Sequence, residues 1–99
     1  MAEYHLDDGR LTVQGPLSAD DDEDLRKWCL DLFLHEKDVV TIDMEHVSRI
    51  DSRCIGVLAT LWIDLSVAGR RFELLPSRSV KKILDLSGLS QVFLSQKQE

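Results

Sequence analysis

Val39-Val40-Thr41-Ile42-Asp43-Met44 runs through the polar segment 45–50 into Asp51-Ser52-Arg53-Cys54-Ile55-Gly56-Val57-Leu58, and this junction decides the fold. The opening run is short, β-branched and almost wholly apolar. It reads as a central strand buried on both faces, as in parallel sheets. Glu45 to Ile50 reads as a loop carrying His46 and Arg49. From Asp51-Ser52 to about Ala68 the apolar residues recur at helical spacing, and Gly69 is a C-terminal stop. Cys54, Leu58, Leu61, Trp62 and Leu65 make one broad stripe expected to face the sheet. The opposite stripe, Arg53, Thr60 and Asp64, is narrow and polar, with Val57, Ile63 and Val67 beside it. A helix that is apolar beyond one face is buried on more than one side or meets a partner.

Working towards the N-terminus, Tyr4-His5-Leu6 and Leu11-Thr12-Val13 alternate apolar and polar residues around Asp7-Asp8-Gly9, a hairpin signal. Gly15-Pro16 ends the second strand. Ser18 then precedes Asp20-Asp21-Asp22-Glu23-Asp24. Carboxylates in a first turn complement the positive end of a helix dipole, and Ser18 or Asp20 can cap the free N–H groups. Leu25, Trp28, Cys29, Leu32 and Phe33 fall on one face, so a helix is expected from Asp20 to about Leu34.

Towards the C-terminus, Arg71-Phe72-Glu73-Leu74-Leu75 alternates as a strand and Pro76-Ser77 breaks it. Ser79 is expected to cap a short helix with Val80, Ile83, Leu84 and Leu86 facing inward, ended at Ser87-Gly88-Leu89. Gln91 to Leu94 reads as a last strand or extended tail. Met1 to Glu3 and Ser95 to Glu99 read as loose termini. The order β, β, α, β, α, β, α, β predicts one α/β domain over residues 1–99, with its core at about 4–94. Its sheet is expected to be mixed: an N-terminal antiparallel hairpin plus parallel strands. Spacing alone leaves open whether the helices share one face of the sheet.

The sequence has 99 residues, 43% of them hydrophobic, which suits one packed domain. Its net charge of -6 argues against nucleic acid and anionic membrane surfaces as partners. No apolar stretch approaches the ~20 residues of a membrane helix. Met1-Ala2-Glu3-Tyr4-His5 lacks the basic-then-apolar order of a signal peptide. Cys29 and Cys54 form no C-x-x-C pair, which fits a reducing compartment. A small acidic cytoplasmic domain is the resulting expectation.

Among candidate chemistry, Asp51-Ser52 stands out. It follows the most apolar strand and opens the most apolar helix, where ligands and partners of open α/β sheets are met. One reading is a plain N-cap. The other is a hydroxyl presented at a helix N-terminus, where a phosphate is stabilised by free N–H groups and the dipole. Cys54 shares that terminus, which lowers a thiol pKa, yet its angular position puts it on the inward stripe as a core thiol. His5, His35 and His46 show no metal-ligand spacing. His46 lies near Ser52 along the chain, which is no evidence of a hydrogen bond. Arg70-Arg71 and Lys81-Lys82 read as solvated faces or contacts to an acidic partner. No phosphate loop, dinucleotide fingerprint or nucleophile elbow occurs, so no cofactor, metal or catalytic residue is assigned.

The run Val39 to Met44, then Val47-Ser48-Arg49-Ile50-Asp51-Ser52-Arg53-Cys54-Ile55-Gly56-Val57-Leu58, resembles the STAS domain of bacterial anti-sigma factor antagonists. The hallmark is a hydrophobic strand ending in Asp, a short loop, and D-S-[ST]-G-[LI]-G-V-L. Ser79 to Phe93 is similar to the family's closing helix and Leu-x-Gly-Leu turn, and Leu11 to Leu17 to its early segment. The resemblance covers about residues 4–94. It departs at Arg53, where the family has a small hydroxyl residue, at Cys54, where it has glycine, and at Ser18, where it usually has aspartate.

The resemblance implies a mixed sheet with helices mainly on one side, and Ser52 as a regulatory phosphorylation site. It implies that the unphosphorylated chain binds an anti-sigma factor, often a serine kinase, and that phosphorylation releases it. A metal-dependent (PP2C-type) phosphatase resets the cycle. The docking surface expected on this basis is Asp51, Ser52, Arg53, Val57, Thr60 and Asp64, with Ser18 and Asp20 alongside, on a monomer or weak dimer. The chain is then a substrate of enzymes, not an enzyme. The alternative is a constitutive subunit of a lipid-transport ATPase complex or a stress-signalling scaffold.

Overall fold

The computed structural model describes residues 2–94, with the backbone alone for Val92 and Leu94. In chain order the elements are β1 (Glu3–Asp7), β2 (Arg10–Gln14), a 3-10 turn (Ala19–Asp21), α1 (Asp22–Leu34), β3 (Val39–His46), α2 (Ser52–Val67), β4 (Arg71–Pro76), α3 (Arg78–Ser87) and α4 (Ser90–Leu94). The sheet order is β1-β2-β3-β4. β1 and β2 pair antiparallel, and β2–β3 and β3–β4 pair parallel. The mixed sheet with its N-terminal hairpin is therefore as expected.

Asp8 and Gly9 both sit at positive φ, 51° and 83°, between the paired residues Asp7 and Arg10. That is the two-residue hairpin geometry that Asp-Gly favours. A side chain at residue 9 would also press on Lys37, whose Cγ lies 2.9 Å from an ideal Cβ.

β3 corrects its reading. Val40, Ile42 and Met44 are fully buried, but Val39 is 39% exposed and Thr41 and Asp43 are only half-buried. β2 and β4 alternate in the same way, with Leu11, Val13, Phe72 and Leu74 buried. The helices therefore cover one face of the sheet, and the other face is polar. On it Arg10 Nη2 meets Asp43 Oδ2 at 2.7 Å. Val39 and Thr41 are tolerated there because β-branched residues suit a strand on either face. Glu45 and His46, read as loop, extend β3.

The chain ends differ too. Glu3 belongs to β1 and Ala2 is buried, so the loose N-terminus does not begin where expected. Met1 and the predicted tail Ser95–Glu99 lie outside the described residues. α3 is capped by Ser77, not Ser79: Ser77 Oγ accepts from Val80 N–H at 3.1 Å and donates to Val47 O at 2.7 Å. Leu86, expected inward, is exposed, while Val80 and Leu84 are buried. Gly88 ends α3 at φ 75°, the left-handed stop glycine makes easily. Ser90–Leu94 is then helical and not a strand. Phe93 explains this: it is fully buried edge-on against Phe72, with ring centroids 5.6 Å apart. A helical turn swings that ring back onto the core beside β4.

Arg70 is not a solvated cation. Its guanidinium donates to Phe33 O at 2.6 Å, to Lys37 O at 2.9 Å and to His35 O. It also lies over the Phe33 ring, 5.2 Å from the centroid. These carbonyls close α1 and its exit, where orphan acceptors need donors. One arginine from the turn after α2 thus clamps the end of α1.

Candidate functional site

The site is built where two segments after parallel strands run side by side. Leu17 forms an isolated parallel bridge with Ile50. Leu17 N–H donates to Arg49 O at 2.9 Å, and Asp51 N–H donates to Leu17 O at 2.8 Å. Further back, Gly15 N–H donates to His46 O at 3.0 Å. This zipper holds Ser18 and the acidic turn against the start of α2. The bridge is a tertiary pairing of single residues, so no local pattern reports it.

At that start, Asp51 is the N-cap. Its Oδ2 accepts from Arg53 N–H at 3.3 Å, and its carbonyl accepts from Cys54 and Ile55. Ser52 occupies the first helical position and is exposed. The two readings of the junction thus separate onto two residues: Asp51 does the capping and Ser52 keeps a free-facing hydroxyl. Among the described residues no hydrogen bond joins His46 to Ser52.

Ser18 is exposed, and both its N–H and its Oγ donate to Asp21 Oδ2, at 2.8 and 2.9 Å. Ser18, one of the two caps read from the sequence, is therefore the N-cap of the 3-10 turn, and Asp21, not Asp20, is the carboxylate that answers it. The signal was legible as Ser18-x-x-Asp21, the spacing of a capping box. Asp20 is exposed on the 3-10 turn. Leu17, Ser18, Ala19, Arg49, Ile50 and Asp51 line a small cavity of about 260 Å³ at this junction. Arg49 is an exposed cation beside the site that spacing did not single out.

Cys54 lies directly beneath. It is fully buried, and its thiol donates to Ser18 O at 3.4 Å. Burial, then the carboxylates of Asp21, Asp51 and Asp22, push its pKa up to about 11. That outweighs the helix-terminus effect, and the thiol is a core group, as its angular position implied. Cys29 on α1 is also buried and pushed up to about 12 by desolvation.

The remaining predicted contacts separate along α2. Arg53, Thr60 and Asp64 are exposed, as the polar stripe required. Val57, read as flanking that stripe, is 3% exposed. It forms the floor of a groove of about 280 Å³ between α1 and α2, whose walls include Leu30, Phe33, Thr60 and Asp64. Ile63 and Val67 are exposed, at 51% and 84%. Charge is equally uneven. Residues 18–34 hold six carboxylates (Asp20, Asp21, Asp22, Glu23, Asp24, Asp31) against Arg26 and Lys27, a net of -4. Residues 51–67 hold Asp51 and Asp64 against Arg53, a net of -1. These two stretches carry -5 of the chain's -6. Among the described residues, no group of three or more His, Cys, Asp or Glu side chains is placed to hold a metal ion. No helix among them is long and apolar enough to cross a membrane.

A mixed sheet covered on one face, with a capped helix following its central strand, is the architecture of a STAS-type domain. The family model described as "Mlab, STAS domain" matches residues 2–95, and the chain belongs to that family. An anti-sigma factor antagonist from Mycobacterium paratuberculosis superposes with a TM-score of 0.79 at 18% identity, covering 95% of this chain and 82% of that one. The unphosphorylated anti-sigma factor antagonist SpoIIAA gives 0.73 at 21% identity, over 95% and 86%. The phosphorylated form of SpoIIAA from Bacillus gives 0.68 at 19%, over 95% and 89%. At these identities the likeness carries the fold. None of the curated protein sequences compared with the chain matches it.

Proposed function

We propose that this chain is a partner-switching regulator of the anti-sigma factor antagonist kind, gated at Ser52. The observation that carries the reading is the exposed Ser52 at the first position of α2, with its capping duty taken by Asp51. The unphosphorylated chain binds an anti-sigma factor with serine-kinase activity through Asp51, Ser52, Arg53 and the neighbouring Ser18 and Asp20. Phosphorylation adds ~1.5–2 negative charges at that spot. The helix N-terminus and Arg53 accommodate the phosphate within the chain. A partner docked on a surface already net negative meets a new dianion it cannot bury cheaply, and it dissociates. A PP2C-type phosphatase restores the serine. On this reading the chain is a cytoplasmic, non-enzymatic protein whose own residues perform no bond-making step.

The test is a paired pull-down from native lysate with Ser52→Ala and Ser52→Asp baits, read by mass spectrometry, beside incubation of the wild type with the recovered kinase and ATP. The expected result is a kinase bound by the alanine form only, and a mass gain of one phosphate at Ser52. Equal recovery by both baits, with no modification, sinks the gating. A second reading, a fixed subunit of a transport ATPase complex or signalling scaffold, is favoured by the exposure of Ile63 and Val67 well down α2 from Ser52. Permanent interfaces cover such side chains. It predicts one complex that survives Ser52→Asp.

A further inference from the structure

Arg49 is a cation at the junction with no duty yet in the Ser52 switch. Its carbonyl accepts from Leu17 N–H, which pins the backbone ahead of α2 against the acidic turn. Along that extended segment Ile50 is buried, while Arg49 and Asp51 stand either side of it and both line the small cavity with Ser18. The carboxylates at hand are already engaged: Asp51 Oδ2 accepts from Arg53 N–H, and Asp21 Oδ2 accepts from Ser18. Among the described residues the exposed Arg49 guanidinium makes no hydrogen bond and no ion pair.

In a helix every Cα–Cβ bond tilts toward the N-terminus. Ser52 is the first residue of α2, so its side chain leans back over the segment that carries Arg49. Three residues span at most ~11 Å of chain, within the joint reach of an arginine and a phosphoserine. Arg53 is less well placed, because neighbours i and i+1 on a helix do not face each other. A dianion on Ser52 also arrives among carboxylates, with Asp51 beside it and Asp20, Asp21 and Asp22 on the turn held alongside. A guanidinium meets a phosphate there through two parallel N–H···O bonds. We infer that Arg49 is the residue that holds the phosphate of phosphorylated Ser52, as a bidentate pair, with Arg53 adding only its field from the side. The inference rests on Ser52 being the modified residue. It gives Arg49 two states: open to a partner while Ser52 is free, and occupied once the phosphate is present. A departing partner then loses a cation as well as meeting a dianion.

The test installs phosphoserine at residue 52 of the full chain during translation, so that no kinase is needed, and follows the ³¹P signal through a pH titration. An unperturbed phosphoserine loses its second proton at ~6. The wild type is expected to titrate roughly half a pH unit or more below Arg49→Gln, about threefold in proton affinity, because an opposite charge and hydrogen bonds favour the dianion. Arg49→Lys is expected to recover the smaller part of that difference, since an ammonium lacks the fork. Arg53→Gln is expected to move the titration less than Arg49→Gln does. In the wild type the ¹⁵Nε signal of Arg49 is expected to shift when the phosphate is present. Coincident titrations of the wild type and Arg49→Gln, a larger displacement from Arg53→Gln, or an unmoved Arg49 signal overturns the inference. The two ideas fail separately: the pull-down asks whether Ser52 gates a partner, and the titration, with the phosphate already in place, asks only what holds it.

Discussion

Asp51 and Ser52 are neighbours with different duties, and single substitutions separate them. Asp51→Ala removes the carboxylate that caps α2, at a cost of about 1 kcal/mol. Ser52→Ala removes an exposed hydroxyl and is expected to leave the urea midpoint unchanged. Ser52→Asp adds a carboxylate at a helix N-terminus and is expected to be neutral or stabilising by a few tenths of a kcal/mol. Urea unfolding of the three variants checks the series, and a Ser52→Ala loss matching Asp51→Ala contradicts the division of roles. The two thiols make a second residue-scale prediction. Burial holds Cys29 and Cys54 protonated up to about 12 and about 11, whereas an unfolded thiol ionises near ~8.5. The raised folded pKa values mean that the stability due to these groups is fully present below ~8.5. It falls as pH rises from there through 11 and 12. Urea midpoints of the wild type between pH 7 and 10.5 are therefore expected to drop more steeply than those of a Cys29→Ala/Cys54→Ala variant. Parallel slopes count against it.

At the scale of the element, α1 depends on Arg70, which lies outside it. Arg70→Ala leaves three carbonyls at the end of α1 and its exit without their donor, and also removes the cation over Phe33. The expected loss is about 2 kcal/mol, and Arg70→Lys recovers little of it, since an ammonium cannot reproduce the guanidinium fork. Hydrogen exchange at the last turn of α1 is expected to speed up in both variants, and an unchanged last turn contradicts the clamp. Elements also divide by how well sequence reports them. α1, α2 and the Asp8-Gly9 hairpin were legible because their periodicity and turn chemistry are local. α4 was not, because its helical form follows from where the Phe93 ring must go to meet Phe72, which is a long-range fact. The one-sided burial of β3 was hidden because Val39 and Thr41 are β-branched whichever face they occupy.

Across the whole molecule the core is one cluster from Ala2 to Phe93, shared by β2, β3, β4 and the helices, with Tyr4 and Leu6 of β1 packed against it. It reports through two tryptophans. Trp28 on α1 stacks on Tyr4 of β1, with centroids 5.5 Å apart, and Trp62 packs against the core from α2. Single-tryptophan variants, Trp28→Phe and Trp62→Phe, are each expected to show fluorescence and far-ultraviolet dichroism transitions coinciding in urea. Separate midpoints imply that the hairpin with α1 unfolds apart from the rest.

The sequence alone determined the class of fold, the order of its elements up to α3, and the junction that carries Ser52, because these rest on periodicity, turn residues and caps read within a few positions. It also determined that Cys54 faces the core, since its place on the α2 stripe is angular. Tertiary structure alone decided that Val57 floors a groove while Ile63 and Val67 face outward. It also decided that Ser18 and the acidic turn lie beside the start of α2, and that Arg70 closes α1. The physical reason is shared: each depends on which distant segment lies opposite, and the Leu17–Ile50 bridge, the α1–α2 packing and the turn after α2 exist only once the chain has closed on itself.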